Sequence, residues 1–337
     1  MSENKTEDQN KIDFLAIGDI VIDAFIKLKQ AEIVGEADTP SYKICLPFAE
    51  KVPYEDVFVC PAVGNASNAS VCASRLGLKS ALVSNIGADL DGEKCLESLK
   101  NDGVRTDLIK INTGMKTNYH YVLWYEAERT ILIKHEIYQY ALGEMRNPKW
   151  IYFSSVGETA FPFHYVVADY LDLYPEINFV FQPGKFDIKL GKDKLERLYK
   201  HSKLFFCNVE EARKILEEGN GEIKELLVKM HDLGPKTVVI TDGPKGAYAY
   251  DGADMWFMVP YPDPKPPYER TGAGDAFSST VVSAIILGKT LPEALAWGGV
   301  NSMSVVQEVG AQKGLLSRLK LEEYLKNAPA DYIARKL

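Results

Sequence analysis

Two glycines and an acid stand together at residues 269–277, which read Glu-Arg-Thr-Gly-Ala-Gly-Asp-Ala-Phe. Apolar residues recur after them at helical spacing, which predicts a helix that begins near Ala273 or Gly274. Small residues at a helix start let backbone N–H groups converge on an anion, with support from the helix dipole. Asp275 would repel a phosphate, so a role in proton transfer accounts for it better. The pattern indicates attack of a hydroxyl on a phosphoryl group, with Asp275 as the base.

Strands and helices alternate from Trp150 to the helix that carries Asp275. The apolar patterns predict strands at residues 151–155, 178–182, 204–207 and 237–241, and helices at 164–174, 190–199 and 210–217. Strands separated by helices form βαβ units. The predicted fold class is therefore α/β, with a doubly wound and mostly parallel sheet.

The apolar run at residues 14–23 predicts a buried central strand with Asp19 and Asp23 towards its carboxyl end. Ligands bind at the carboxyl ends of the strands in sheets of this kind. Asp23 is therefore a candidate ligand of a substrate. A turn residue or a helix cap is the structural alternative.

Two regions depart from the alternation and predict a small β-lid, at about residues 24–60 and 115–137. The first contains apolar pieces broken by prolines, and the second contains two strand-like runs at 118–126 and 129–134. Ala127 and Glu128 would form the tight turn between these runs.

Small residues and asparagines fill the segment at 60–77. Gly64 leads into a predicted helix, and the amides of Asn65 and Asn68 can hold hydroxyl groups as both donors and acceptors. A helix N-terminus with asparagine caps explains the same residues. Both interpretations remain open from these residues alone.

Two further turns follow predicted strands. Asn208 and Glu211 could position hydrated Mg²⁺, which prefers few protein ligands and several waters. A helix cap with a glutamate in the first turn is the alternative. Thr241, Gly243 and Gly246 belong to a turn that also predicts a β-hairpin.

The composition and net charge of the chain limit the classes of function that it can have. The 337 residues are 46% hydrophobic and 26% charged, as in globular proteins, and a net charge of −8 argues against nucleic acid or an anionic membrane as the main partner. Five dispersed cysteines indicate reduced thiols in a cytoplasmic protein and suggest no metal site. Residues 1–11 predict a disordered leader before one domain at 12–330, and no apolar stretch is long enough to span a membrane.

Taken in order, these segments resemble the signatures of the PfkB, or ribokinase-like, family of carbohydrate and nucleoside kinases. Residues 271–277 resemble its second signature, and residues 60–77 resemble its first, with Val63 where the family has a glycine. Three further matches follow the family's order: Gly-x-Asp-x-x-Gly at 87–92, Asn-x-x-Glu at 208–211 and the turn at 241–247. The resemblance covers residues 14–314.

The resemblance implies a ribokinase-like fold with a lid, and an ATP-dependent kinase that phosphorylates a hydroxyl of a sugar or nucleoside. It implies a general base at Asp275 and backbone donors at Gly272, Ala273 and Gly274. The other implied ligands are Asp23, Gly64, Asn65 and Asn68 for the substrate, Asn208 and Glu211 for Mg²⁺ through water and for phosphate, and Thr241, Gly243, Gly246 and Asn301 for the nucleotide.

The family also implies a homodimer contact through the lid. It also suggests a site for a monovalent cation such as K⁺ near Glu269 and Thr271, although the family has an aspartate where Glu269 stands. The acceptor remains open. The predicted lid offers cations for a phosphosugar at Lys43, Lys51, Arg129 and Lys134, and aromatic rings for a nucleoside at Tyr42, Phe48, Tyr119, Tyr121 and Trp124.

Three alternatives compete with a kinase. A glycine-rich turn capped by an aspartate, without any chemistry, would explain a motif as short as Gly-x-Gly-Asp. A catalytically idle family member would act as a nucleotide-binding scaffold or regulatory protein, but Asp275 and both glycines are retained. A dinucleotide-dependent dehydrogenase would need Gly-x-Gly-x-x-Gly after the first strand, where this chain has Gly18-Asp19.

Overall fold

The structure is a computed structural model that describes residues 11–35, 42–126, 128–145 and 148–337. The predicted leader, apart from Lys11, and Ala127 of the predicted turn lie outside the described residues. The strands are β1 (Phe14–Ile17), β2 (Val21–Leu28), β3 (Glu32–Val34), β4 (Lys43–Cys45), β5 (Tyr54–Val63), β6 (Ser80–Gly87), β7 (Ile109–Asn112), β8 (Asn118–Tyr125), β9 (Glu128–Leu132), β10 (Trp150–Phe153), β11 (Asn178–Phe181), β12 (Ser202–Asn208), β13 (Val238–Thr241), β14 (Ala247–Tyr250), β15 (Met255–Met258) and β16 (Arg335–Lys336).

The α-helices of the described part are α1 (Asn65–Arg75), α2 (Leu90–Asn101), α3 (Phe161–Leu173), α4 (Lys185–Leu190), α5 (Glu196–His201), α6 (Val209–Leu216), α7 (Ile223–Asp232), α8 (Ala273–Ile286), α9 (Leu291–Val305) and α10 (Arg318–Lys326). Most of the predicted helices agree with these within a few residues. The stretch predicted as one helix at 190–199 instead contains the end of α4, a short 3₁₀ turn at Lys192–Leu195 and the start of α5.

Ten strands form the main sheet in the order β16-β15-β14-β13-β12-β11-β10-β1-β6-β7. The seven strands from β13 to β7 run parallel to one another. Strands β14, β15 and β16 add antiparallel pairs at one edge. The predicted α/β class with a mostly parallel sheet is confirmed.

The central strands are buried on both faces because helices cover both sides of the sheet. In β1, Phe14 and Ala16 belong to one buried cluster, whereas Leu15 and Ile17 belong to another. All four side chains are at most 1% exposed. Strands buried in this way have continuous apolar sequences, which is why short apolar runs located them.

The predicted strand at 14–23 is wrong in one respect, because the chain forms two strands there. β1 ends at Ile17 and pairs with β6 and β10 of the main sheet, whereas β2 pairs with β5 and β8 of a second sheet. Gly18 lies at the break, where a β-carbon would stand 2.7 Å from the β-carbon of Ala66. Asp19 therefore follows the central strand, while Asp23 lies on the second sheet.

The second sheet contains four strands in the order β5-β2-β8-β9, and β3 and β4 form a separate hairpin. These strands come from the two segments for which the sequence predicts a lid. Strand β8 alternates along its length, with His120, Val122 and Trp124 buried and Tyr121 about half exposed. We refer to β5, β2, β8 and β9 as the lid sheet. Its buried face lies towards the main sheet, and its other face is open.

Within the described ranges, no helix combines the length and the apolar composition needed to cross a membrane.

Candidate active site

The N-terminus of α8 carries Asp275 in its first turn, as the sequence predicts. Gly272 precedes the helix with a φ of 79°, and a β-carbon there would lie 2.3 Å from the β-carbon of Ala311. Gly274 is exposed, and no atom lies within 4 Å of the place a β-carbon would take. The first N–H groups of a helix lack partners within the helix. The start of α8 can therefore receive an anion.

Three side-chain amides from different elements hold the Asp275 carboxylate. Asn65 Nδ2 donates to Oδ1 at 2.9 Å, and Asn68 Nδ2 donates to Oδ2 at 2.8 Å. Gln182 Nε2 also donates to Oδ1, at 3.0 Å. Burial raises the pKa of Asp275 above that of an exposed aspartate, and the three amides oppose this rise. The arrangement gives a carboxylate that is more basic than usual and is held by neutral donors.

Gln182, which follows β11 directly, is not among the residues that the sequence predicts for the site. Its amide oxygen accepts a hydrogen bond from Ser278 Oγ at 2.7 Å and another from the Tyr152 hydroxyl. These two donors fix the amide so that its nitrogen faces Asp275. A polar residue at the carboxyl end of a buried strand was the available signal, because ligand sites gather at that edge of a parallel sheet.

Gly64, Asn65 and Asn68 bring the start of α1 to the same place. Gly64 has a φ of 115°, and a β-carbon there would lie 2.6 Å from the carbonyl oxygen of Asp19. The close approach requires glycine and brings the end of β1 against the helix that carries both asparagines. The two amides point to Asp275, so they serve the candidate base as well as any substrate.

A cavity of about 440 Å³ opens beside the start of α8. Ala273 and Gly274 line it together with the predicted nucleotide residues Thr241, Gly243 and Gly246. Those three belong to the turn between β13 and β14, which is also the predicted antiparallel hairpin. The cavity is large enough for a nucleotide and mostly apolar at its walls, which include Met258, Val259, Phe277, Met303 and Val306.

Asn301, predicted to contact the nucleotide, is fully buried and is not among the residues that line this cavity. Its side chain donates to Thr280 Oγ1 at 2.8 Å and accepts from the Leu316 N–H at 2.9 Å. Helix α9 turns Asn301 towards α8 and presents the next residue, Ser302, to the cavity. Ser302 Oγ donates to the carbonyl oxygen of Ala273 at 3.0 Å.

Asn208 and Glu211 form a reciprocal cap at the start of α6. Asn208 Oδ1 accepts from the Glu211 N–H, and Glu211 Oε2 accepts from the Asn208 N–H, both at 2.8 Å. The helix cap that the sequence offers as an alternative to a metal site is therefore present. Burial raises the pKa of Glu211, and the nearby charge of Asp275 raises it further. A cation would relieve this negative potential, so the two residues fit Mg²⁺ held through water.

The family profile of the pfkB family carbohydrate kinases matches residues 29–318. The chain belongs to this family. Ribokinase of Bacillus subtilis (strain 168) is 26% identical to this kinase over 269 residues, which cover 78% of this chain and 87% of that protein.

Two solved structures share the fold of this kinase. Arabidopsis thaliana ribokinase complexed with ribose and ATP superposes with a TM-score of 0.77 at 18% identity, covering 94% of this chain and 99% of that one. The nucleoside kinase of Methanocaldococcus jannaschii, an archaeal member of the ribokinase family, gives a TM-score of 0.73 at 19% identity with the same coverage.

The candidate position for a monovalent cation near Glu269 and Thr271 lies beside a guanidinium of the lid sheet, and Oε2 of Glu269 is buried there without a hydrogen-bond partner. Arg129 of the lid sheet places Nη1 3.4 Å from Oε1 of Glu269, which is 2% exposed. The same oxygen accepts from the N–H and hydroxyl of Thr271. The guanidinium already supplies a positive charge to this carboxylate, beside the turn that leads to Gly272.

The other lid residues considered from the sequence lie on the surface or pack against neighbouring rings. Lys43 and Lys51 are exposed, and Lys134 pairs with Glu136 on the surface. Phe48 is 96% exposed. Trp124 packs edge-on against Tyr268, with ring centroids 5.1 Å apart. None of these three lysines forms an ion pair with Asp275 among the described residues.

We expect Gln182→Met to move the acid limb of kcat/KM to higher pH by about one unit, because a hydrogen bond to an ionised group is worth about 1.5 kcal/mol or more. The variant removes a donor that stabilises the Asp275 anion, so its pKa rises further, and the base is lost at higher pH. The pH profile of kcat/KM measures this.

Gln30→Met is the matched control, since Gln30 is exposed between β2 and β3. It should keep the wild-type profile. An unshifted acid limb in folded Gln182→Met would show that the amide does not control the base.

Proposed function

We propose that residues 12–330 form one kinase domain that transfers the γ-phosphoryl group of ATP to a hydroxyl of a sugar or nucleoside, with Asp275 as general base. The observation that carries this is the Asp275 carboxylate, held by three amides at a helix N-terminus beside a nucleotide-sized cavity. Family membership and the ribokinase fold support the same function.

In the proposed reaction, Asp275 takes the proton from the acceptor hydroxyl while the oxygen of that hydroxyl bonds to the γ-phosphorus. The bond from that phosphorus to the β–γ bridging oxygen breaks, and ADP leaves with the electron pair. The N–H groups at residues 272–274 stabilise the charge on the transferred oxygens. The raised pKa makes Asp275 a better proton acceptor, provided that the pH lies above that pKa.

Mg²⁺ would be held through water by Asn208 and Glu211, where it would neutralise charge on the phosphates of ATP. The reciprocal cap leaves the second carboxylate oxygen of Glu211 available for such a water. The residues that line the nucleotide cavity, such as Thr241 and Gly243, would position the phosphates against the start of α8.

The competing function is a catalytically idle, nucleotide-binding scaffold. Such a protein would have no need for three amides aimed at one carboxylate, because that arrangement raises no affinity for ATP. The fixed orientation of Gln182 by Ser278 and Tyr152 favours the enzyme for the same reason.

Asp275→Asn should lower turnover by about a hundred- to ten-thousand-fold, because the amide cannot accept the proton. The assay couples ADP release to Mg²⁺-ATP over a panel of sugars and nucleosides. Asp232→Asn is the control, since Asp232 is exposed at the end of α7. Near-full activity of folded Asp275→Asn would refute the base, and silence of the wild type with ATP bound would favour the scaffold.

We expect activity that does not depend on K⁺, because Arg129 holds the Glu269 carboxylate. Replacing KCl with tetramethylammonium chloride at equal ionic strength should change the wild-type rate by less than about twofold. The rate of Arg129→Ala should fall about tenfold, because the variant loses a charge-assisted contact with Glu269. Added guanidinium should restore part of this rate.

Lys134→Ala is the control for Arg129→Ala, because it removes an exposed lid cation. A wild-type rate that rises several-fold with K⁺ would contradict the proposed role of Arg129.

We also propose a homodimer through the open face of the lid sheet. Val59, Ala24, Tyr121 and Leu132 are register partners across its four strands, and all but Ala24 are at least 49% exposed. An apolar row of this kind on a sheet face is typical of an interface. A second copy would cover it with the same row, as two-fold symmetry requires.

Tyr121→Asp should convert the dimer to a monomer in sedimentation velocity experiments, since it places a charge in the centre of the apolar row. Leu173→Asp, on the exposed surface of α3, should leave the dimer intact. A wild type that sediments as a monomer at micromolar concentration would rule out this interface.

A further inference from the structure

The segment between α9 and α10 places one glutamine against an amide that holds Asp275. Gln312 is 9% exposed, and its Nε2 donates two hydrogen bonds. One goes to the carbonyl oxygen of Ala62 at 2.6 Å, and the other goes to Oδ1 of Asn68 at 3.0 Å. Ala62 lies in β5 and Asn68 lies in α1, so Gln312 joins the two elements that meet at Gly64.

The partners of Gln312 determine which way its amide and that of Asn68 are turned. A backbone carbonyl oxygen only accepts hydrogen bonds, so the amino group of Gln312 must face Ala62. The same amino group reaches Asn68, which must then present its oxygen to it. Because the nitrogen and oxygen of an amide lie on opposite sides, Nδ2 of Asn68 faces Asp275, and it donates to Oδ2 at 2.8 Å. Gln312 therefore sets the orientation of a donor to the proposed base.

Without this contact, either end of the Asn68 amide could face Asp275. The amide oxygen would repel the carboxylate, whereas the nitrogen stabilises it. Gln182 has equivalent support, since Ser278 and Tyr152 hold its oxygen. Two of the three amides on this carboxylate are thus oriented by further hydrogen bonds behind them.

The carbonyl group that fixes Gln312 is itself held in place. Ala62 is fully buried with a φ of 56°, a left-handed conformation that residues other than glycine rarely adopt. Such a conformation persists only where the surrounding contacts maintain it. The carbonyl oxygen of Ala62 also accepts from the Ser67 hydroxyl, and its N–H donates to Sγ of Cys95 at 3.3 Å. Gln312 therefore reaches a fixed acceptor at the turn from β5 into α1.

The main chain of Gln312 is held by the opposite end of α1. Arg75 Nη1 donates to the carbonyl oxygen of Gln312 at 2.6 Å and to that of Leu315 at 3.0 Å. Arg75 Nε also donates to Oδ1 of Asp102 at 2.7 Å. Helix α1 thus carries Asn68 near its start and Arg75 at its end, and both contact Gln312. The main chain that carries the glutamine is thereby fixed relative to Asn68.

We propose that Gln312 is a positioning residue for phosphoryl transfer, which turns the Asn68 amide so that its nitrogen donates to Asp275. Among the described residues, Gln312 forms no hydrogen bond with Asp275, so it acts through Asn68. Loss of a donor to the Asp275 carboxylate would destabilise the anion and leave less of the base ionised at a given pH. This inference rests on the proposed kinase function and adds a residue to its site.

A substitution at Gln312 leaves the other titratable groups near the carboxylate in place. Glu211 at the start of α6 and Tyr152 on β10 both interact with the charge of Asp275, and that charge raises the pKa of each. Neither forms a hydrogen bond with the Asn68 amide in the described part of the chain. A shift in the pH profile of the variant would therefore report the orientation of Asn68.

Gln312→Met keeps the length of the side chain and removes the amino group that donates both hydrogen bonds. We expect the acid limb of kcat/KM for the acceptor to move to higher pH by about half a unit, because the anion loses part of one donated hydrogen bond. On the acid limb, kcat/KM should fall about threefold, with little change on the plateau. The shift is smaller than that expected for Gln182→Met, since Asn68 can still donate in one of its two orientations.

Gln307→Met is the matched control, because it removes one hydrogen bond, to the Lys265 carbonyl, from the same segment. It should keep the wild-type acid limb. Asn68→Leu supplies a second comparison. In that background Gln312→Met should move the limb no further, because the amide that Gln312 turns is absent.

Gln312→Ala decides the question where Gln312→Met does not fold. A water that fills the vacated space can satisfy the Ala62 carbonyl, but it can donate to Asn68 or accept from it, so it does not fix the amide. The acid limb should move in the same direction as for Gln312→Met.

An unshifted acid limb in a folded Gln312 variant would overturn the inference, as would an equal further shift in the Asn68→Leu background. A loss of activity that is uniform across pH would also overturn it, because that loss would show a structural role alone. These results would leave the kinase function intact. A wild type that transfers no phosphoryl group to any acceptor would count against the proposed function itself, and the inference would fail with it.

Discussion

A carboxylate surrounded by neutral amides is the constraint on which the rest of the site depends. As the proposed base, Asp275 must be buried enough to be a strong base, yet it must remain ionised to accept a proton. A nearby lysine or arginine would keep it ionised but would weaken it as a base. Amides from Asn65, Asn68 and Gln182 stabilise the anion without adding a charge. The tertiary structure has to place these amides beside Asp275 from α1 and from the end of β11.

The placement of these amides around Asp275 explains several features that look unrelated in the sequence. Gly64 lets α1 begin against the carbonyl of Asp19, and Gly272 lets α8 begin against Ala311. The lid sheet reaches both places, because His120 of β8 contacts His135, which lies beside Asp19, and because Arg129 of β9 lies beside Glu269. The residues proposed to bind the acceptor and those proposed to transfer the phosphoryl group are thus connected through the same small region of backbone.

Local sequence patterns were sufficient for most elements of the main sheet and for the start of α8. Continuous apolar runs identified the parallel strands, and the small residues before Asp275 located the start of α8. Local pattern could not show that residues 14–23 cross between two sheets, since both halves are apolar and only Gly18 marks the break. It also could not decide which face of α9 meets the cavity, where Ser302 lies and the buried Asn301 does not. Gln182 meets Asp275 through a long-range contact that has no spacing signature.

The reaction proposed for this protein is transfer of a phosphoryl group from ATP to an organic hydroxyl. The most direct measurement follows the label from [γ-³²P]ATP in the presence of Mg²⁺ and a mixture of unphosphorylated sugars and nucleosides, with the products separated by chromatography. The account predicts that the label moves to an organic phosphate ester, with little release of inorganic phosphate. Label that stays in ATP, or that appears only as inorganic phosphate, would contradict it.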